Sequence, residues 1–335
     1  MATDTTPWRQ VVTPHDNIQQ GKVKQNDFAA SLADVLHQSG NPDYYDPERF
    51  FNRTFLTAGL RQLAGEVVGR LTGQGDGDAV MQIQTPFGGG KTHTLITLYH
   101  LVKNGQACFD HPALKTYWLE RGWKVPPSVP VAAFDGNQVG VGAVEVEPGL
   151  SVQTLWGHLA WQLAGKAGYE LICDFDADRV SPSGEDIDRV LEASGGGLII
   201  LDEVANYVET AAAVAVHGST LAAQTRTFLQ RLTTRAGHHE RVILVATLPR
   251  SDGTQTHGMA SLQVLQALQE LFGRVQKVRE PVEGDEVHEI IRRRLFLPFG
   301  GDTDDKGTRT KKIRNRDATI QAYGADLKAR PQVPD

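Results

Sequence analysis

Two short runs in the second half of the chain are almost wholly apolar, GGGLIILDEV (195–204) and RVILVATLP (241–249). Central strands of a parallel sheet are covered by helices on both faces and give continuous apolar runs, whereas a strand with one solvated face alternates polar and apolar residues. Further segments with strand character, separated by helical patterns, are AVMQIQ (79–84), PVAAFDG (130–136) and RVQKVRE (274–280). Strands that alternate with helices predict an α/β fold with a mostly parallel, five-stranded core sheet.

Composition narrows the classes of protein to which such a chain can belong. It has 34 Lys and Arg against 40 Asp and Glu, and a net charge of −6 argues against a broad basic surface for nucleic acid or anionic membranes. Cys108 and Cys173 are its only cysteines, which excludes a disulfide framework and a cysteine-ligated metal site. No apolar run approaches the ~18 residues of a membrane span, and the first residues show no signal peptide. We therefore expect a cytoplasmic protein without membrane contact.

A glycine-rich turn, TPFGGGKT (85–92), lies between the first predicted strand and the next helix. It matches the end of the phosphate-binding pattern G-x-x-x-x-G-K-[ST], with threonine in place of the first glycine. Glycines let backbone N–H groups curve around a phosphate, the lysine brings an ammonium to the terminal phosphates, and the last hydroxyl can ligate Mg²⁺. The alternative, an incidental Lys-Thr in a glycine-rich turn, is disfavoured by the strand–turn–helix context. The predicted nucleotide-binding residues are Thr85, Pro86, Phe87, Gly88, Gly89, Gly90, Lys91 and Thr92.

Two carboxylates, Asp202 and Glu203, follow the apolar run LIIL, where a buried charge is costly unless a cation is bound nearby. The pattern predicts that Asp202 holds Mg²⁺ together with Thr92, and that Glu203 activates the attacking water. The alternative is a strand end that reaches solvent, with both acids favouring the start of the next helix. At the end of the strand predicted within VILVATLPR, Thr247 is placed to sense the γ-phosphate, and the alternative is a hydroxyl that caps the strand end. Together these patterns predict a P-loop NTPase of the AAA+/ASCE type, a three-layer sandwich.

Charge that develops on a transferred phosphoryl group is commonly met by an arginine, often from a neighbouring subunit. Arg274 opens the fifth predicted strand and is our first candidate for this catalytic role, with Arg250 the second. Arg292, Arg293 and Arg294 lie on the last predicted helix, where a lid would carry a sensor arginine. A solvated surface charge is the alternative interpretation for each.

The motifs divide the chain into five predicted segments. They are a polar lead-in (1–26), a helical region packed on the ATPase core (27–73), the P-loop ATPase core (74–284), the start of a lid helix (285–297) and a polar, disordered, truncated tail (298–335). Within the helical region, the apolar spacing predicts one helix from Asp27 to about Gln38 and one long helix that ends near Gly73.

Several of these segments closely resemble a family of large prokaryotic AAA+-like ATPases, catalogued as domain of unknown function 499. The resemblance covers roughly residues 27–297 and rests on FFNRTFLTAGL, TPFGGGKTHTLITLYHL, LWGHLAWQLAG, SPSGED, LIILDEVANYV and VATLP. It implies ATP and Mg²⁺ as cofactors and carries nucleotide and metal roles onto Lys91, Thr92, Asp202 and Glu203. Members are similar to ATPases found beside DNA methyltransferases in anti-phage defence clusters. They are typically much longer than this chain, which implies an N-terminal portion with an incomplete lid.

We therefore expect an ATPase that couples its nucleotide state to a partner in a phage-defence or DNA-modification complex. The expected partners are a second copy of the chain and a DNA methyltransferase or another defence-cluster protein, and DNA contact is left open. The alternatives are a non-hydrolysing ATP-dependent switch and, ranked below it, a helicase fragment. About 90 residues follow Thr247, fewer than the ~100–200 that a second helicase domain needs.

Overall fold

A computed structural model describes residues 12–22, 25–75, 77–83, 90–122, 129–248, 259–273, 278–279, 282 and 286–297. The strands are β1 (Val80–Ile83), β2 (Val131–Asp135), β3 (Val144–Glu147), β4 (Leu150–Val152), β5 (Gly197–Asp202), β6 (Ala215–Val216), β7 (Ser219–Thr220), β8 (Val242–Thr247) and β9 (Val278–Arg279). The helices are α1 (Asp16–Gln19), α2 (Leu32–Leu36), α3 (Pro42–Tyr45), α4 (Pro47–Arg53), α5 (Ala58–Thr72), α6 (Lys91–Lys103), α7 (Gly105–Asp110), α8 (Pro112–Arg121), α9 (Leu155–Glu170), α10 (Cys173–Ala177), α11 (Gly184–Ser194), α12 (Val204–Ala211), α13 (Leu221–Ala236), α14 (Met259–Gly273) and α15 (Val287–Leu295). A 3-10 turn spans Gln25–Phe28.

The central sheet has the strand order β2-β5-β8-β1-β9, and each neighbouring pair is parallel. Its four main strands have four to six residues each, all of them buried. The α/β class and the mostly parallel sheet are therefore confirmed.

The predicted count of five strands needs correction. Four full strands form the sheet, and β9 adds the two residues Val278–Arg279 at its edge. The rest of the predicted fifth strand, 274–280, lies outside the described residues. Its sequence, RVQKVRE, is largely polar, and a polar segment suits an edge position because it needs less apolar cover than a central strand.

Side chains along a strand alternate between the two faces of a sheet. Helices cover both faces of this one. On one face, Phe134, Leu201 and Ala246 join a hydrophobic cluster with α9, α11, α12 and α13. On the other face, α5 and α6 contact β8, and α6 also contacts β2 and β5. This double cover accounts for the continuous apolar runs in β5 and β8.

At one edge of the sheet, β2 is covered in part by a side chain of α9. The amide Nε2 of Gln162 donates to Ala133 O at 3.0 Å, and its Oε1 accepts from Ala133 N at 2.9 Å. Gln162 therefore satisfies a backbone donor and a backbone acceptor that another strand would otherwise have to pair.

The long helix predicted to end near Gly73 is in fact two helices, α4 and α5, separated by Thr54–Thr57. Thr57 caps the start of α5, because its hydroxyl accepts a hydrogen bond from Leu60 N at 3.1 Å. Gly73 ends α5 in the left-handed region, with φ of 66°, as the prediction placed it.

The helix predicted from Asp27 to about Gln38 is also interrupted. The 3-10 turn ends first, and α2 begins after Ser31, whose hydroxyl accepts from Asp34 N at 3.2 Å. Short hydroxyl side chains compete for nearby backbone groups and so favour helix starts over helix interiors. In both regions the apolar spacing continues across the break, which is why periodicity did not reveal it.

The described chain divides into two compact units. The first contains residues 12–29, 49–55 and 286–297 of the described ranges, and in it Pro14 and Phe296 form an antiparallel bridge. The second contains the described residues of 30–48 and 56–284, and therefore the whole central sheet.

Residues 1–11 of the predicted lead-in and the whole predicted tail, 298–335, lie outside the described residues. Within the part of the chain that is described, none of the helices has the length and apolarity that crossing a membrane requires.

Candidate functional site

Polar side chains meet at the carboxyl ends of β2, β5 and β8, the edge at which open parallel sheets bind ligands. The last residues of these strands are Asp135, Asp202 and Thr247, and all three are buried. Asp135 is the register partner of Asp202, and the pairing of Leu201 with Ala246 places Thr247 beside Asp202. Because side chains alternate along each strand, all three lie on the face covered by α6.

Asp202 is the centre of a hydrogen-bond network. Thr92 Oγ1 donates to its Oδ2 at 3.0 Å, and Thr247 Oγ1 donates to its Oδ1 at 2.5 Å. Thr247 Oγ1 also accepts a hydrogen bond from Glu203 N at 3.1 Å. The structure thus brings together four residues that were selected from three separate parts of the sequence.

The first turn of α6 places Lys91 and Thr92 at this edge. Gly90 is the N-cap of α6, with φ 81° and ψ 19°, a left-handed conformation that glycine adopts without strain. Its carbonyl accepts from Thr94 N at 2.9 Å, which starts the helix. Lys91 Nζ lies 3.9 Å from Glu203 Oε1. The start of α6 and the end of β5 therefore share one site.

Glu203 joins β5 to α12 in a backbone conformation that is rare outside glycine. Its φ of 47° and ψ of 35° fall in the left-handed region, which costs an L-residue about 1–2 kcal/mol. Its N–H is held by the Thr247 hydroxyl, and its carbonyl accepts from Asn206 N at 3.0 Å. The side chain remains 25% exposed. Glu203 thus has a fixed backbone and a carboxylate within reach of solvent.

Burial raises the pKa of Asp202 to about 6. Hydrogen bonds from Thr247 and Thr92 lower this pKa, whereas the nearby carboxylates of Glu203 and Asp135 raise it. Burial also raises the pKa of Asp135. A bound cation would offset the accumulated negative charge of these three carboxylates.

The oxygen donors at this edge fit Mg²⁺. This ion prefers oxygen ligands and keeps several waters, so one or two protein ligands suffice. The carboxylate of Asp202 and the hydroxyl of Thr92 provide oxygens 3.0 Å apart. Among the residues that the structure describes, no group of three or more His, Cys, Asp and Glu side chains could hold a metal ion. Asp202 and Thr92 could therefore supply one or two of the oxygen ligands of such an ion.

The end of β2 and the turn that follows it, residues 135–137, also belong to this edge, and sequence reasoning did not identify them. Asp135 Oδ1 accepts from Asn137 N at 3.0 Å, and Gly136 N donates to Asp202 O at 2.8 Å. Asn206 Nδ2 of α12 donates to Asn137 Oδ1 at 2.5 Å. We call residues 135–137 the β2 turn. Its signal was an aspartate directly after an apolar strand, the same pattern that selected Asp202.

Several predicted site residues lie outside the described residues. They are Thr85, Pro86, Phe87, Gly88, Gly89, Arg250 and Arg274. Two of the predicted lid arginines have contacts within the first unit. Arg292 Nη2 lies 2.6 Å from Glu289 Oε2, and Arg294 Nη2 donates to Asp27 O at 3.4 Å.

Comparison with known proteins gives one finding of wide coverage. A family model described as the DUF499 N-terminal domain matches residues 15–280, which is most of the chain. The matched range includes the β2 turn, the start of α6 and the ends of β5 and β8. No curated protein matches the chain.

Proposed function

We propose that the chain, which belongs to the family of the DUF499 N-terminal domain, binds ATP with Mg²⁺ and hydrolyses it. The observation that carries this proposal is the network in which Asp202 accepts hydrogen bonds from Thr92 and Thr247 while Lys91 and Glu203 lie 3.9 Å apart. Lysine, hydroxyl and paired carboxylates at the carboxyl edge of a parallel sheet are the groups that bind and cleave nucleoside triphosphates in P-loop sites. The proposal includes the finer fold assignment, a P-loop NTPase of the AAA+/ASCE type with three layers.

The described residues supply groups for both cofactors. Lys91 would bind the terminal phosphates, since it lies in the first turn of α6, where the helix dipole also favours anions. Thr92 and Asp202 would hold the Mg²⁺, which when bound neutralises charge on the phosphate oxygens. Thr247 keeps the Asp202 carboxylate oriented through its hydrogen bond.

Glu203 is the group that we propose acts on the attacking water. Its carboxylate accepts a proton from the water while the water oxygen bonds to the γ-phosphorus. The bond from the γ-phosphorus to the bridging oxygen breaks, and ADP and inorganic phosphate are the products. The left-handed backbone of Glu203, held by Thr247, fixes the origin of this side chain. Arg274 remains our candidate for stabilising the charge on the transferred group.

The family resemblance supports a role in which nucleotide state is coupled to a partner. We propose a cytoplasmic complex for phage defence or DNA modification, whose partners are a second copy of the chain and a DNA methyltransferase or another defence-cluster protein. An ATPase assay with and without DNA, run at several protein concentrations, measures how turnover depends on DNA and on association of the chain with itself.

The first test of the proposal is the affinity for ATP, measured with a fluorescent ATP analogue in the presence of Mg²⁺. We expect Lys91→Ala to weaken binding at least ~10-fold, because it removes a charge-assisted contact to phosphate. Lys103→Ala is the matched control, since Lys103 is an exposed lysine at the other end of the same helix, and it should bind as the wild type does. Unchanged affinity in Lys91→Ala would overturn the proposal.

The second test separates hydrolysis from binding. We expect Glu203→Gln to retain ATP while its turnover falls by roughly 10²–10⁴-fold, the range for loss of a general base. Equal and negligible turnover by the wild type and by Glu203→Gln, with ATP still bound, would instead identify a non-hydrolysing switch.

A further inference from the structure

The backbone of the β2 turn packs directly on the backbone of Glu203. A Cβ atom at Gly136 would overlap Glu203 O, and it would lie 2.8 Å from Glu203 C and 3.1 Å from Val204 Cα. These are main-chain atoms, which cannot rotate aside as the end of a side chain can. The φ of Gly136 lies outside the left-handed region, so its backbone conformation does not require glycine. Glycine is required because there is no room for a Cβ atom.

Hydrogen bonds hold Glu203 and the residues on either side of it. On one side, Gly136 N donates to Asp202 O at 2.8 Å, and Asn206 Nδ2 donates to Asn137 Oδ1 at 2.5 Å. On the other side, Glu203 N donates to Thr247 Oγ1 at 3.1 Å. The junction between β5 and α12 is therefore clamped between the β2 turn and the end of β8.

We infer that Gly136 is a positioning residue for Glu203. This inference rests on the proposed ATP hydrolysis and makes Gly136 one determinant of the rate of that reaction. The left-handed conformation of Glu203 is unfavourable by itself and persists only because its surroundings impose it. A methyl group at position 136 would displace the Glu203 carbonyl and the first residue of α12. The carboxylate would move with them, and a misplacement of about 1 Å in a catalytic group can cost ~10²-fold in rate.

We expect a change at Gly136 to lower the turnover of ATP without lowering the affinity for ATP. Lys91 and Thr92, which we propose bind phosphate and Mg²⁺, extend from α6, and α6 begins at its own glycine cap, Gly90. The backbone atoms that a Cβ at Gly136 would meet belong to Glu203 and Val204 and not to α6, so we expect the phosphate-binding groups to be affected least.

The decisive variant is Gly136→Ala, and Gly140→Ala is its matched control. Gly140 is exposed in the loop that follows the β2 turn, and a Cβ there would meet no atom within 4 Å. We expect kcat of Gly136→Ala to fall at least ~10-fold while its KM and its Kd for ATP change less than ~3-fold. Gly140→Ala should equal the wild type. In a Glu203→Gln background, Gly136→Ala should change turnover by less than ~2-fold, because the group it displaces is already inactive.

Asn206→Ala decides the question if Gly136→Ala shows no cooperative unfolding transition. The Asn206 side chain is exposed, and its removal breaks the contact with Asn137 without adding an atom to the junction. We expect its kcat to fall about 3-fold or more at unchanged Kd, since it loses one of the tethers. Unchanged kcat in that variant would overturn the inference.

The remaining outcomes distinguish this inference from the proposed function. If the wild type hydrolyses ATP and Gly136→Ala is equally fast, only the inference fails. If kcat and ATP affinity fall together in Gly136→Ala, Gly136 has a general structural role and the inference fails as well. If the wild type neither binds nor hydrolyses ATP, the proposed function fails, and the rate-determining role of Gly136 fails with it.

Discussion

The surroundings of Asp202 disfavour the negative charge of its carboxylate. Burial raises its pKa to about 6, against 3.8 for an ordinary aspartate, so the folded chain binds this proton more tightly than the unfolded chain. The free energy of unfolding therefore decreases as pH rises from about 4 to about 6 and stays low above that. The shift corresponds to ~3 kcal/mol at most. The ionised carboxylate of Asp202 thus lowers the free energy of unfolding, and we propose that bound Mg²⁺ is the cation that compensates its charge.

Asp202→Asn should therefore stabilise the protein at high pH. We expect the free energy of unfolding of this variant to exceed that of the wild type by ~1–3 kcal/mol at pH 8 without divalent cations, because the amide carries no charge. Near pH 4 the difference should disappear, since Asp202 is then protonated. Urea unfolding at both pH values measures it, and Glu192→Gln, which neutralises an exposed carboxylate, is the control. A variant less stable than the wild type at pH 8 would contradict this account.

Among the elements, the helices of the N-terminal region show how a side-chain hydroxyl sets a boundary. Thr57 is nearly fully buried, and its Oγ1 accepts from Leu60 N in the first turn of α5. Without this acceptor, one of the N–H groups at the helix start would be buried and unsatisfied. The break between α4 and α5 is thus stabilised from the side of α5.

Thr57→Ala should lower the free energy of unfolding by about 1 kcal/mol, within the range of about 0.5–2 kcal/mol for the loss of a capping hydroxyl. Thr57→Ser keeps the oxygen and should recover most of the loss. Urea unfolding of the three proteins is the measurement. Equal stability of the alanine variant and the wild type would show that the cap does not stabilise α5.

Elements that carry a dense local signal were predicted well, and those defined by distant partners were not. The apolar runs of β5 and β8 and the glycine that ends α5 follow from residues adjacent in sequence. By contrast, Gly136 is required by the carbonyl of Glu203, and Asn206 meets Asn137 only because β2 lies beside β5. Strand order is not encoded locally, so the sequence alone placed Asp202, Glu203 and Thr247 at strand ends but left out the β2 turn.

Across the whole molecule, buried acids and buried histidines respond to pH in opposite directions. Burial raises the pKa values of Asp135 and Asp176, which favours the folded state as pH falls. Burial lowers the pKa of His100, and it lowers that of His158 to about 4. A histidine kept neutral by folding makes the protein less stable as pH falls through the unfolded value of 6.5. Among the described residues, these buried acids and buried histidines therefore contribute to the acid response with opposite signs.

His158→Phe should isolate the histidine contribution. His158 lies on α9 with its ring centroid 5.8 Å from that of Phe134, so an apolar ring of similar shape suits the position. Between pH 6.5 and pH 4 the variant should lose less stability than the wild type, by up to ~3 kcal/mol. Thermal or urea unfolding across this interval measures the difference, and His238→Phe, which removes an imidazole at an exposed position, is the control. Parallel pH profiles for wild type and His158→Phe would rule the assignment out.

The side chain of Gln162 has a consequence for how the protein avoids unwanted association. An open sheet edge invites strand addition by other chains, including other copies of itself. Gln162 forms hydrogen bonds with both backbone groups of Ala133 and so blocks this position of β2 to another strand. An incoming strand must first displace the side-chain amide of Gln162, and its new hydrogen bonds to Ala133 would only replace existing ones, so the net gain in free energy is small. The edge is thus protected for as long as α9 stays folded, and local unfolding of α9 would leave the backbone N–H and C=O of Ala133 open to strand addition.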